Sequence, residues 1–173
     1  MRLVKYLTLT ILFIVFFFSC GKIEKLPPEP LVRFKSFEVF DSIDILENSV
    51  KGGRLNFYFE DGDGDLGLPA PGLIGGIDTT NLFFIVKRKH GNVFDSVSIN
   101  DPIRPSDYKI PFMDRQGQNK ILKGNIRVTF LYLFSTPTDT IKYYFNVKDR
   151  AGNISNTDST CVIVLGENSI CNK

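Results

Sequence analysis

The chain has no tryptophan, a single histidine and only three cysteines among its 173 residues. Each scarcity removes a class of chemistry. His90, set in a Lys-His-Gly-Asn turn, has no partner imidazole, and one histidine with distant cysteines cannot supply the usual tetrahedral zinc spacing. No Gly-x-Ser-x-Gly elbow exists and no cysteine lies near His90, so a Ser-His-Asp or Cys-His nucleophilic site finds no support. His90 therefore reads as a bystander. An excess of one charge is missing as well: once Arg2 and Lys5 are set aside, 19 of the 21 Lys and Arg residues face 19 Asp and Glu. Nucleic-acid binding needs a basic excess gathered on one face, and no Lys/Arg run stands out after residue 30, so nucleic acid is excluded as a partner.

What is present at the start is an export signal. Residues 1–19 place Arg2 and Lys5 before an apolar stretch from Leu7 to Phe18, with Ser19 just ahead of Cys20. That stretch falls well short of the roughly 20 residues a membrane-spanning helix needs, and no second one follows. Phe17-Phe18-Ser19-Cys20-Gly21 resembles the bacterial lipobox, although its two Phe residues depart from the commonest Leu-Ala/Ser pattern. The resemblance implies cleavage before Cys20 and a diacylglycerol on its thiol. Residues 20–30 then form a short proline-rich tether, extended and semi-stiff. The remainder suits one domain, expected over residues 31–166, with a tail at 167–173.

Beyond the tether the apolar residues alternate, or run in blocks of four to eight rich in Phe, Tyr, Val and Ile, with turn residues between. This is an all-β pattern. Strands are expected near 32–40, 54–60, 81–89, 93–97, 108–112, 125–134, 140–148 and 157–165. Seven or eight strands at that spacing imply a sandwich or barrel. Leu55, Phe57 and Phe59 alternate with Asn56, Tyr58 and Glu60, which gives one core face and one partly polar face. Turns are expected at Lys89-His90-Gly91-Asn92 and at Asp149-Arg150-Ala151-Gly152-Asn153, where Gly and Asn tolerate positive φ. Two long irregular segments, 61–80 and 98–107, interrupt the strands. The first is rich in Gly and Pro (Pro69, Pro71, Gly72, Gly75, Gly76) and is the readiest place for a binding surface.

One motif rises above background. Asp61-Gly62-Asp63-Gly64-Asp65 spaces carboxylates two residues apart, with glycines that let the backbone wrap, so that oxygen ligands converge as a hard cation such as Ca²⁺ requires. It is not an EF-hand loop, because position 6 is Leu66 and position 12 is Gly72. Further ligands would come from backbone carbonyls, water or a distant residue such as Asp149. The alternative is a solvated Asp/Gly turn held by Asx-type hydrogen bonds. With Cys20 acylated, Cys161 and Cys171 are an even pair in an oxidising compartment and are candidates for a disulfide; the other reading is a buried Cys161 and a free Cys171. Tyr58, Phe83, Tyr108, Tyr132 and Tyr144 would be sugar platforms if exposed, and core if not.

The lipoprotein signal, the segment Phe59-Glu60-Asp61-Gly62-Asp63-Gly64-Asp65-Leu66-Gly67-Leu68, the stretches Tyr108-Lys109-Ile110-Pro111-Phe112 and Lys123-Gly124-Asn125-Ile126, and the Asp149 to Asn153 turn together resemble a group of Bacteroidota lipoproteins. That resemblance implies an immunoglobulin-like or fibronectin type III-like β-sandwich anchored by lipid to the outer membrane, with periplasmic and surface-facing placements both open. The group is known for location and fold rather than for a reaction. The function expected is a non-enzymatic binding or structural module of the cell envelope, partnered by the membrane and by an envelope protein or glycan. The other class to weigh is an envelope hydrolase or carbohydrate-processing accessory protein, for which no pair of acids is singled out.

Overall fold

The computed structural model describes residue 6 and residues 25–69, 80–113 and 120–173. The rest of the signal, Cys20 and the loop residues Pro71, Gly72, Gly75 and Gly76 lie outside the described residues. From Lys25 on, the described residues contain no helix and form nine strands: β1 (Leu31–Ile43), β2 (Ser49–Asp61), β3 (Leu82–His90), β4 (Val93–Ser96), β5 (Leu122–Tyr132), β6 (Thr140–Val147), β7 (Asp158–Ser159), β8 (Ile163–Val164) and β9 (Ser169–Asn172). They build two antiparallel sheets, ordered β5-β2-β1-β9 and β4-β3-β6-β7, with β8 also on β6. The all-β sandwich expected from the sequence is what forms. The first, second and fifth strands share one sheet while the third, fourth and sixth share the other, the sheet-switching order of immunoglobulin-like sandwiches.

Alternation sets the core. Leu55, Phe57 and Phe59 face inward from β2, as do Val128, Phe130 and Tyr132 from β5. Opposite them stand Leu82, Phe84 and Val86 on β3 and Ile141, Tyr143, Phe145 and Val147 on β6. β1 breaks the period once: a bulge at Lys35 shifts the register between Phe34 and Ser36, so Val32, Phe34, Phe37 and Val39 all reach the core. Phe37, Phe84, Phe130 and Tyr143 cluster with ring centroids 5.5–6.2 Å apart. The Tyr143 hydroxyl is fully buried, and it pairs with the Tyr132 hydroxyl at 2.7 Å.

Four sequence expectations change. Residues 108–112 do not form a strand: Pro111 has no N–H, and the segment makes only single bridges, Tyr108 to Leu82 and Pro111 to Leu68. The strand expected over 157–165 is split into β7 and β8, because Thr160 turns inward and its hydroxyl accepts from Tyr143 N–H at 3.1 Å. The segment read as a tail supplies β9, which pairs with Ser36–Val39 of β1. Cys161 and Cys171 are joined as a disulfide, with Cα atoms 6.4 Å apart. Ahead of β9 the outer edge of β1 is covered by side chains: Asn156 Oδ1 accepts from Val32 N–H and Asp158 Oδ2 from Phe34 N–H. β2 also begins earlier than the sequence suggests, since Phe40 lies over Gly52 while Phe37 and Tyr132 fill the space beside Gly53.

Candidate metal centre at the tether pole

β1, β3 and β5 begin at one pole of the sandwich, where β2 and β6 end. Asp61 is the last residue of β2, opposite Leu122, and the strand's alternation turns its carboxylate inward to 1% exposure. The chain then reverses through Gly62 to Asp65 and is pinned by the buried Leu66 and Leu68, with Leu68 N–H donating to Ile110 O at 2.9 Å. Leu66 N–H closes the turn by donating to Asp61 Oδ2 at 2.6 Å. One carboxylate oxygen each from Asp61, Asp63 and Asp65 comes within 4.8 Å of the others. Among the described residues, no donor from outside the cluster reaches the buried Asp61 Oδ1 or Asp65 Oδ1.

The glycines of the motif have separate tasks. Gly62 N–H donates to Pro27 O at 3.1 Å, and a Cβ at Gly62 would run into the backbone of Leu26 and Pro27. The tether thus lies directly against the aspartate turn. Gly67 holds φ at +102°, a left-handed conformation suited to glycine, and its carbonyl accepts from Arg150 Nη1 at 2.7 Å. The Arg150 guanidinium also lies over the Phe112 ring, 4.8 Å from its centroid. A cavity of about 230 Å³ beside this contact is lined by Leu26, Pro27 and Pro30 of the tether and by Glu60 and Asp61 at the end of β2.

Asp149, expected as a further ligand, does not join the converged set. Both its oxygens are engaged inside its own turn, Oδ1 by Asn153 N–H at 2.7 Å and Oδ2 by the Asn153 amide at 2.8 Å. Gly152 of that turn has φ +94°, the positive φ expected of its glycine. The turn nonetheless reaches the motif through its backbone, with Ala151 N–H donating to Asp65 Oδ2 at 2.9 Å. Asp65 thereby links β2 of one sheet to the end of β6 in the other.

The electrostatics follow from this crowding. Burial pushes the Asp61 carboxyl up to about 6; the Leu66 N–H opposes the rise, and Asp63 and Asp65 add to it. Asp65 is also raised, first by burial and then by Asp149 and Asp63, against the Ala151 N–H and Arg150. Ionising all three without compensation is costly, and a hard cation accepting oxygen ligands would supply the missing charge.

The remaining sequence candidates separate by place. His90 is exposed at the β3–β4 tip, at the other end of β3 from Leu82. Of the aromatic candidates, Tyr132 is core and Tyr108 packs against Phe84 and Phe130, whereas Tyr58, Phe83 and Tyr144 are partly exposed. Sequence reasoning missed Pro27 and Asn81; the buried Oδ1 of Asn81 accepts from Ile110 N–H at 2.6 Å and fixes residues 108–112 beside the motif. An Asn opening a strand was the only signal. No family model, curated protein or solved structure matches the chain.

Proposed function

We propose that this chain is a lipid-anchored module of the cell envelope, held at the outer membrane through Cys20, that binds or scaffolds rather than catalyses, and whose tether pole is ordered by Ca²⁺. The observation that carries the calcium reading is the convergence of three carboxylates around Asp61, 1% exposed, whose second oxygen is buried and, among the described residues, reached by no donor from outside the cluster. Asp61, Asp63 and Asp65 would hold the ion, and carbonyls or water would complete the six to eight oxygens that Ca²⁺ takes. The ion would fasten three parts of the chain at one point: the end of β2, the turn after β6 and the tether. The anchor reading rests on the signal and the Cys20 motif.

Calorimetric titration of Ca²⁺ into the full chain in detergent tests the first part. A one-site isotherm weakened by Asp63→Asn, with Mg²⁺ replacing Ca²⁺ poorly because it demands a stricter octahedron, supports it. A flat titration at millimolar Ca²⁺ returns the motif to an acidic turn. Membrane fractionation of Cys20→Ser tests the second part: unchanged processing and detergent partition would remove the anchor.

A further inference from the structure

Among the described residues, the outer face of the second sheet carries a set of cations with no carboxylate paired to them. Alternation along β3 and β6 turns Phe83, Ile85, Lys87 and Lys89 outward beside Thr140, Lys142, Tyr144 and Asn146. β4 adds Phe94 and Ser96, and the short strands add Ser159 and Val164. No residue in this set is an Asp or Glu. Lys87 and Lys142 are direct cross-strand partners, an arrangement of like charges that opposes pairing. Instead of reaching a carboxylate, both ammonium groups lean on one ring: Lys87 Nζ is 5.4 Å and Lys142 Nζ 5.3 Å from the Tyr144 centroid. Ile85, the cross-strand partner of Tyr144, is 54% exposed. The outer face of the first sheet differs, since there Arg54 pairs with Glu38 at 2.7 Å and Tyr58 bonds Glu60 at 2.9 Å.

A flat ring beside an exposed aliphatic side chain, edged by two lysines held together against their repulsion, has the chemistry of a site for an acidic sugar polymer. We propose that the face built by Lys87, Lys142, Tyr144 and Ile85 binds an anionic polysaccharide, whose carboxylates draw the two ammonium groups off the Tyr144 ring so that a uronic-acid-type ring lies across Tyr144 and Ile85. The apolar C–H face of a pyranose matches the ring and Ile85, while its charged edge answers the cations. An acidic polypeptide offers the charge without that flat apolar face. The proposal names the ligand of the binding module and rests on that reading, but it uses no residue of the calcium centre.

Affinity electrophoresis of the full chain in detergent through polygalacturonate, dextran and polyglutamate tests it, with calcium chelated so that the aspartate turn plays no part. The expected result is retardation by polygalacturonate alone, weakened as salt is raised because exposed charges are screened. Lys87→Ala with Lys142→Ala should weaken binding about ten-fold, and Tyr144→Ala should weaken it at unchanged charge. Arg33→Ala with Lys123→Ala, on the other sheet, should leave it intact. Equal retardation by polyglutamate would show a charge-only surface for acidic proteins and overturn the sugar assignment, as would binding to dextran or none at all. Hydrogen exchange on the wild-type chain gives a reading independent of how the variants fold: protection by polygalacturonate must fall on β3 and β6, and protection elsewhere overturns the proposal. Shortening of polygalacturonate by the protein would instead remove the non-enzymatic reading while leaving the face in place.

Discussion

Asp61 makes calcium, protons and stability measurable against one another. Without the ion its carboxyl keeps its proton up to about pH 6 in the folded chain but loses it near the ordinary 3.8 in the unfolded chain. Between those values the folded state binds more protons, so this group's contribution is full below pH 3.8 and is lost as pH rises through 6. At about 1.4 kcal/mol per unit, and with some screening by water at the loop, the loss is roughly 2 to 3 kcal/mol. Calcium requires the ionised form, so the proton competes with it. At 100 times Kd the ion should add about 2.7 kcal/mol at pH 7. Below pH 6 the affinity falls about ten-fold per unit, leaving about 1.4 kcal/mol at pH 5 and about 0.4 at pH 4 at the same calcium concentration. At 2 to 4 °C per kcal/mol, the calcium-induced rise in melting temperature should be about 5 to 10 °C at pH 7 and shrink to about 1 °C at pH 4. Differential scanning calorimetry from pH 4 to 7, with calcium and with chelator, reads both effects. Asp61→Asn should raise the melting temperature of the calcium-free protein at pH 7, because the amide still accepts from Leu66 N–H without a charge, and should weaken the calcium response. A calcium increment that is the same at pH 4 and pH 7 would refute the reasoning, since a site built from Asp61 must feel its proton.

Cys161→Ser with Cys171→Ser should lower stability by about 2 to 3 kcal/mol, the chain-entropy value for a closed loop of about ten residues, read as a lower urea midpoint; an unchanged midpoint would show that β9 holds without the bridge. Tyr132→Phe should cost about 1 to 3 kcal/mol by leaving the Tyr143 hydroxyl buried without its partner, and adding Tyr143→Phe should restore part of that loss. Additive losses in the double variant would mean that the hydroxyl pair contributes little. Gly62→Ala should detach the tether from the aspartate turn, seen as faster proteolysis at residues 25–30 with the sandwich itself intact; equal cleavage of the two proteins would contradict the contact.

The sheets were legible because alternation is a strong signal wherever one face is buried: Leu55, Phe57 and Phe59 announce both β2 and its orientation. The split of the last strand was not, since it depends on Thr160 meeting a backbone N–H of β6 that only the folded sheet brings near. β9 was missed because Ser169–Asn172 has little apolar alternation of its own and is held by β1 and the disulfide. The aspartate motif could be read as a cluster, as local spacing alone converges the carboxylates. Asp149 could not be placed, because whether its oxygens face the motif or its own turn is decided by Asn153. Pro27 gave no local sign at all: its carbonyl matters only because the tether folds back onto Gly62.

The position of β1 determines how the domain would carry load. It is the strand that the tether enters, its ladder with β2 runs from Leu31↔Glu60 to Ile43↔Ser49, and its other edge is occupied by Asn156, Asp158 and β9. A pull on the tether opposed at the far pole of the sandwich would run along β1 and across its hydrogen bonds, loading the ladder in shear. Behind it, β9 is tied through Cys171 to the segment between β7 and β8, which spreads tension into the second sheet. The contact between Pro27 and Gly62 comes first in that line of force. A filled aspartate turn would then act as a clasp, giving way before the strand it guards and letting the tether lengthen while the sandwich stays closed.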